Sequence, residues 1–168
     1  MKLTTTRLIL EPFTENTFDE VYDIFTDRFV RRYLCDNRIL DKEEVLSFLE
    51  TSQKSFQDKE YGLWSLQVKG NEKLIGFTGL WNFFDESYPQ LMYALLPNYT
   101  GKGYAKEASL KIIEYAFYKL DFPYLDASCD TPNKASHKTA LAIGMKKEEE
   151  KTINDLPTTF YRIHRPAR

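Results

Sequence analysis

The 168 residues carry 23 Lys plus Arg against 25 Asp plus Glu, a net charge of −2, with twelve Phe and eleven Tyr. That length holds one domain with a sizeable core, residues 1–168, and the near-balanced charge offers no basic footprint for nucleic acid. Two cysteines far apart, no apolar h-region after Met1 and no long apolar run read as a cytoplasmic chain without a disulfide framework or a membrane partner.

In chain order, Leu3 to Pro12 alternates weakly and predicts a first strand that ends at the proline. Thr14 to Asp27 places Phe18, Val21, Tyr22 and Phe25 on one helical face, and the capping-box spacing of Thr17 with Glu20 puts the start of the regular helix a turn later than Thr14. Asp27 to Leu40 sets Phe29, Val30, Tyr33 and Leu34 among three arginines with no cap at either end, which predicts an irregular or partly helical segment. Asp41 with Glu44 starts a second helix whose stripe of Val45, Phe48, Leu49, Ser52 and Phe56 runs to about Asp58. Tyr61–Val68 and Leu74–Phe84, joined through Gly70-Asn71, predict an antiparallel hairpin. Gly76 and Gly79 weaken its second strand in the way of a bulge or a close backbone approach.

The stretch from Leu91 to Lys119 organises the rest. An apolar run breaks at Pro97-Asn98, passes through Thr100-Gly101-Lys102-Gly103, and leaves as a helix with Ala108, Ile112, Tyr115, Ala116 and Lys119 on one face. Strand, glycine turn and helix in that order direct unpaired N–H groups and a positive dipole end at one spot, an anion site suited to phosphate. A plain strand-to-helix turn needing positive φ fits the same residues. The spacing is not that of a P-loop, and Lys106 stands where a dinucleotide fingerprint needs its third glycine. Beyond it, Tyr124–Cys129 predicts a strand, Asn133 leads into a helix over Lys134–Ile143 closed by Gly144, and Lys146–Lys151 with Thr158–Arg165 predicts a last hairpin. The pattern is that of an α+β sandwich with a mixed sheet and one parallel βαβ unit around the glycine loop.

Thr100-Gly101-Lys102-Gly103-Tyr104-Ala105 resembles the acyl-CoA pyrophosphate loop of the GNAT superfamily of N-acetyltransferases, Gln/Arg-x-x-Gly-x-Gly/Ala, with Thr100 departing from its first position. Thr6-Arg7-Leu8-Ile9-Leu10 resembles that superfamily's first strand and Leu74-Ile75-Gly76-Phe77 its third. Asn133-Lys134-Ala135-Ser136 with Ile143-Gly144-Met145 resembles its late Asn-x-x-Ser…Gly-Phe segment. Order and spacing are most similar to the ribosomal-protein N-acetyltransferase branch. The resemblance implies a GNAT-like fold, a mixed and mostly antiparallel sheet of about six to seven strands flanked by about four helices. It implies acetyl-CoA as cosubstrate, held by the backbone of Tyr93, Ala94, Leu95 and Leu96, by the loop Thr100, Gly101, Lys102, Gly103, Tyr104 and Ala105, and by Asn133. The chemistry implied is direct attack of a primary amine, foremost a peptide or protein N-terminus, by a monomer or homodimer. A small-molecule amine acceptor, and an acyl-CoA binder without turnover, stand as alternatives.

Proton handling departs from the better-known members. They carry Glu on the strand before the loop and Tyr four residues before the last glycine, where this chain has Gln90 and Ala140. By the resemblance Ser136 donates a proton to the leaving thiolate and Asn133 holds it or a water in place, while the plain alternatives are an early helical turn residue and a helix N-cap. A lysine amine is only about one part in 2,000 neutral at pH 7, a penalty of roughly 4–5 kcal/mol, against about 1–1.5 kcal/mol for an α-amine. A site without an obvious strong base therefore tilts toward an α-amine, although Glu44, Asp85, Glu86 or Asp130 could supply a base. Tyr33, Trp81, Phe83 and Phe84 are expected to shape the acceptor pocket. His137 reads as exposed, Cys129 as a small buried hydrophobe, and neither histidine has a metal-ligand partner at a useful spacing.

Overall fold

The computed structural model describes residues 1–167. Its strands are β1 (Leu3–Thr4), β2 (Leu8–Pro12), β3 (Leu63–Val68), β4 (Leu74–Trp81), β5 (Gln90–Leu95), β6 (Tyr124–Asp130), β7 (Lys146–Ile153) and β8 (Leu156–His164). Its helices are α1 (Phe18–Thr26), α2 (Arg28–Arg31), α3 (Lys42–Lys59), α4 (Tyr104–Tyr118) and α5 (Lys134–Ala142). All eight strands join one sheet in the order β1-β2-β3-β4-β5-β6-β8-β7, antiparallel throughout except for the parallel contact of β5 with β6. This is the α+β GNAT-like architecture that the sequence implied, with one strand and one helix more than expected.

Both extras have local causes. The expected single strand over Leu3–Pro12 turns back on itself, because Thr5 N donates to Leu8 O and Leu8 N donates to the Thr5 hydroxyl, each at 3.0 Å. Leu3 and Thr4 then pair with Leu10 and Ile9 as a separate edge strand. The extra helix α2 arises from a cap that the sequence reading overlooked: Asp27 Oδ1 accepts from the amides of Phe29 and Val30 at 2.9 and 3.0 Å. The first helix begins at Phe18 with Thr17 as its N-cap, a turn after Thr14, where the Thr17–Glu20 spacing places the start of the regular helix. Thr14 N donates to the Thr17 hydroxyl at 3.1 Å, one turn before the expected box. Glu20 instead accepts from Leu74 N at 2.8 Å and ties α1 to β4. The predicted Asp41–Glu44 box is present, with both reciprocal bonds at 2.8 and 3.0 Å.

The sheet has a core on each face. On one side Ala108, Ile112 and Ala116 of α4 are buried against Leu10, Leu66, Ile75 and Leu95. On the other, Val21, Phe25, Val45 and Leu49 from α1 and α3 close over Phe77 and Leu63, with the Phe25 ring stacked 4.9 Å from Phe77. Burying such aliphatic and aromatic side chains contributes about 1.5–3 kcal/mol each before entropy is counted. The alternation of β5 serves both cores: Leu91 and Leu95 face α4, while Met92, Ala94 and Leu96 face α1 to α3.

Gly76 gives β5 its path. The Ala94 carbonyl oxygen lies only 2.0 Å from where a Cβ on Gly76 would stand. No side chain fits there, so β5 leans onto β4 at that level. Gly76→Ala is therefore expected to cost at least about 2 kcal/mol, because the obstacle is backbone and cannot rotate away. A urea melt should show a lower midpoint; an unchanged midpoint would mean that β5 does not depend on this approach.

Candidate active site

β5 is zipped to β4 along its whole length, from Gln90↔Trp81 to Leu95↔Gly76, yet it meets β6 at a single pair, Gln90↔Asp126. Beyond that pair the two parallel strands part. Leu96 N donates to Ile75 O at 2.8 Å, which fixes the parity of the strand. Even-numbered amides point to β4; of the odd-numbered ones, that of Leu91 meets Asp126 at the closing pair, and those of Tyr93 and Leu95 point into the gap. The closed end is latched by Gln90. Its buried amide accepts from the Ser128 hydroxyl at 2.7 Å and donates to Glu86 at 3.0 Å, and Glu86 also accepts from Phe84 N. A neutral side chain therefore ties β6, β5 and the β4–β5 connection together where the resembled enzymes carry a carboxylate.

The gap opens into a cavity of about 900 Å³. Tyr33, Trp81, Phe83 and Phe84 all line it. Tyr93, Ala94, Leu95, Thr100 and Ala105 line it from the β5–α4 side, and Asn133 and Ser136 from the start of α5. Leu96, Gly101, Lys102, Gly103 and Tyr104 lie outside this lining. The Leu96 amide is taken by β4, Tyr104 turns back under the Arg7 guanidinium at 4.4 Å, and the Lys102 ammonium stands 5.7 Å from the Tyr99 ring.

The loop leaves its backbone donors free. Gly101 and Gly103 sit at φ +74° and +83°, where a side chain is strained, and a Cβ on Gly101 would meet nothing within 4 Å. Gly103 is the N-cap of α4 and contributes no side chain to the first turn. The first intrahelical bond is Glu107 N to Gly103 O, so the amides of Tyr104, Ala105 and Lys106 have no helical acceptor. Bare amides beside open space at a helix N-terminus fit a diphosphate.

Asn133 Oδ1 accepts from Ser136 N at 3.3 Å, so Asn133 is the N-cap of α5 and Ser136 lies in its first turn. Both plain alternatives hold, and both side chains still face the cavity. A third group nearby was not read as functional from the sequence. The Tyr93 phenol oxygen is buried without a closed hydrogen bond, facing the hydroxyls of Ser136 and Thr139. Burial pushes its pKa up and those hydroxyls draw it part of the way back. The resemblance implies a role for the Tyr93 amide alone; the two-residue alternation of a strand is the signal that sends its side chain toward α5.

Of the bases considered, Asp130 alone lines the cavity. Burial raises its pKa and the charge of Asp36, on the same cavity, raises it further. Asp36 stands in a run of three residues with positive φ, Cys35, Asp36 and Asn37 at 52°, 54° and 61°. Arg32 and Lys134 complete the charged lining.

His137 is not exposed as expected. Its Nε2 lies 2.8 Å from Thr131 O, which only an N–H can satisfy, so Nδ1 is the acceptor for the Tyr161 hydroxyl. The ring ties α5 to β8 and to the turn after β6, and it makes no bond to Ser136. Cys129 lines the cavity, half-buried, 3.9 Å from the same ring. Burial, and then the charge of Asp130, push its thiol up to about 11.

A family model described as an acetyltransferase (GNAT) domain matches residues 7–146. The chain belongs to the GNAT acetyltransferase family. It is 27% identical to the N-acetyltransferase YnaD of Bacillus subtilis (strain 168) over 88% of this chain and 84% of that protein. Among solved structures, an acetyltransferase from Agrobacterium tumefaciens str. C58 superposes with a TM-score of 0.85 at 21% identity, covering 98% of this chain and 95% of its own. A ribosomal L7/L12 alpha-N-protein acetyltransferase in complex with coenzyme A superposes with a TM-score of 0.82 at 12% identity over 98% of both chains. These likenesses are to the superfamily at large, and the ribosomal branch does not stand out among them. As a GNAT acetyltransferase, the chain catalyses acyl transfer from acetyl-CoA.

The raised pKa of Cys129 keeps it a thiol through neutral pH, and the thiolate is the reactive form. Alkylation by iodoacetamide, followed by peptide mass mapping, should be slow at Cys129 at pH 8 and accelerate as pH rises toward about 11. Rapid labelling at pH 7 would show an activated thiol instead.

Proposed function

We propose that this GNAT acetyltransferase, acting as one domain over residues 1–168, acetylates an α-amine by direct attack, foremost the N-terminus of a peptide or protein as in the ribosomal branch. The observation that carries the reading is the parting of β5 from β6 between the glycine loop and an aromatic pocket. The acetyl thioester supplies the activated acyl group. Gly101, Gly103 and the first-turn amides of α4 bind the diphosphate end. The amides of Tyr93 and Leu95 pair with the pantetheine arm as an added strand would and face the thioester carbonyl, where developing negative charge is met by fixed N–H groups. Ser136, positioned by the Asn133 cap, donates the proton that the departing sulfur requires.

The attacking nitrogen loses its proton to Asp130. A carboxylate raised by burial and by Asp36 is a stronger base than an exposed one, but it stays far weaker than lysine demands. An amine near pKa 8 needs only about 1–1.5 kcal/mol to deprotonate at pH 7. The pair Asp36 and Asp130 also suits a cationic acceptor, and Tyr33, Trp81, Phe83 and Phe84 give it apolar walls. A small-molecule amine is the second reading, favoured by the presence of two carboxylates in one cavity.

A thiol-release assay with acetyl-CoA should show faster turnover on short peptides with free N-termini than on the same peptides blocked at that end but carrying lysine. Preference for lysine or for polyamines would favour the second reading, and CoA binding with no turnover on any amine would leave only an acyl-CoA binder. Ser136→Ala is expected to lower kcat about tenfold to a hundredfold with CoA affinity retained. Asp130→Asn should lower kcat/KM and abolish the loss of activity that otherwise appears as pH falls through the carboxyl's raised pKa. Wild-type kinetics in either variant would remove that residue from the mechanism.

A further inference from the structure

The helix end that should receive a diphosphate carries a carboxylate of its own. Glu107 lies in the first turn of α4, where a fixed negative charge competes with any anion drawn to the same dipole and amides. It is held from a distant part of the chain. Its Oε1 accepts from the Thr5 hydroxyl at 2.5 Å and from Arg7 N at 2.8 Å, and its Oε2 accepts from Arg7 Nε at 2.7 Å. Burial pushes the carboxyl up, but these bonds and the charge of Arg7 outweigh it and leave the pKa below its ordinary value.

The same guanidinium reaches the loop. Arg7 Nη1 donates to the carbonyl of Lys102, between the two glycines, at 2.8 Å. The group lies over the Tyr104 ring at 4.4 Å, and its Nη2 is 3.2 Å from where a Cβ on Gly103 would stand. One side chain at the β1–β2 turn therefore touches Lys102, Gly103, Tyr104 and Glu107. All of this happens behind the loop, because neither Arg7 nor Glu107 lines the cavity.

We propose that Arg7 is a positioning residue that sets affinity for diphosphate-bearing acyl donors, by holding the Lys102–Tyr104 backbone in its anion-accepting shape and by cancelling the charge of Glu107 at the head of α4. Arg suits both tasks and Lys does not, since a planar fork presents Nε and Nη1 in fixed, different directions. The proposal rests on the acetyl-CoA reading of this loop.

The test measures binding of coenzyme A, dephospho-coenzyme A and pantetheine to the full chain by calorimetry, with thermal melts alongside. Arg7→Met is expected to weaken coenzyme A and dephospho-coenzyme A by the same factor, about tenfold to a hundredfold, and to leave pantetheine, which lacks the diphosphate, unchanged. Adding Glu107→Gln to Arg7→Met should restore part of the lost affinity, because Gln keeps an acceptor for Thr5 and Arg7 N but carries no charge. Should Arg7→Met fail to fold, Arg7→Lys serves: it keeps the charge, loses the fork, and should weaken the two diphosphate ligands selectively. Unchanged coenzyme A affinity, an equal loss for all three ligands, or no recovery in the double variant overturns the proposal. A wild-type chain that binds no coenzyme A overturns the acetyl-CoA reading instead, and that result is distinct from any difference between wild type and variant.

Discussion

Everything at this site depends on a pair of parallel strands that starts to form and then does not continue. β5 and β6 share one pair at Gln90↔Asp126, and past it each strand presents unpaired backbone groups to the other across a gap. Unpaired main-chain donors away from water are costly, so a gap of this kind persists only where something holds the strands apart or takes the place of the missing bonds. Here the holding is done from both sides. Gly76 lets β5 press onto β4, and the seven-residue pairing of β6 with β8 draws β6 the other way. Gln90, bonded to Ser128 and Glu86, marks where closing stops.

The rest of the architecture can be understood as support for that gap. α4 begins where β5 ends, so its free amides stand at one mouth, and α1 to α3 with the β4–β5 connection wall the other with aromatic rings. α5 is capped by Asn133 and docked by His137, whose two ring nitrogens join the turn after β6 to Tyr161 on β8. A histidine bonded at both nitrogens is a structural tie, and it holds the helix that carries Ser136 against the cavity. Cys129 lines the cavity wall, with its thiol held well above neutral by burial.

Much was legible from residues alone, and the reasons are local. Asp41 with Glu44 announces a helix because cap and box involve residues three apart. The glycine loop was legible because positive φ at Gly101 and Gly103 leaves a compositional mark. Misreadings occurred where a side chain had more than one possible partner. Glu20 has the spacing to close a box with Thr17, but β4 offers it an amide that only the folded sheet brings near. Asp27 leaves no sequence signal as a cap, because the helix that it starts is a single turn, too short to show periodicity.

The sequence by itself determined the alternation of short strands and helices, the caps, the glycine turn and the family pattern, since each is a relation between residues a few positions apart. Only the tertiary structure decided that β5 parts from β6, that Tyr93 and Leu95 are the residues with amides in the gap, and that the Tyr93 phenol is buried beside Ser136. Only it could join Arg7 to Glu107, exactly 100 positions along the chain. Such pairings follow from how the two faces of the sheet pack, and packing is a property of the whole chain at once.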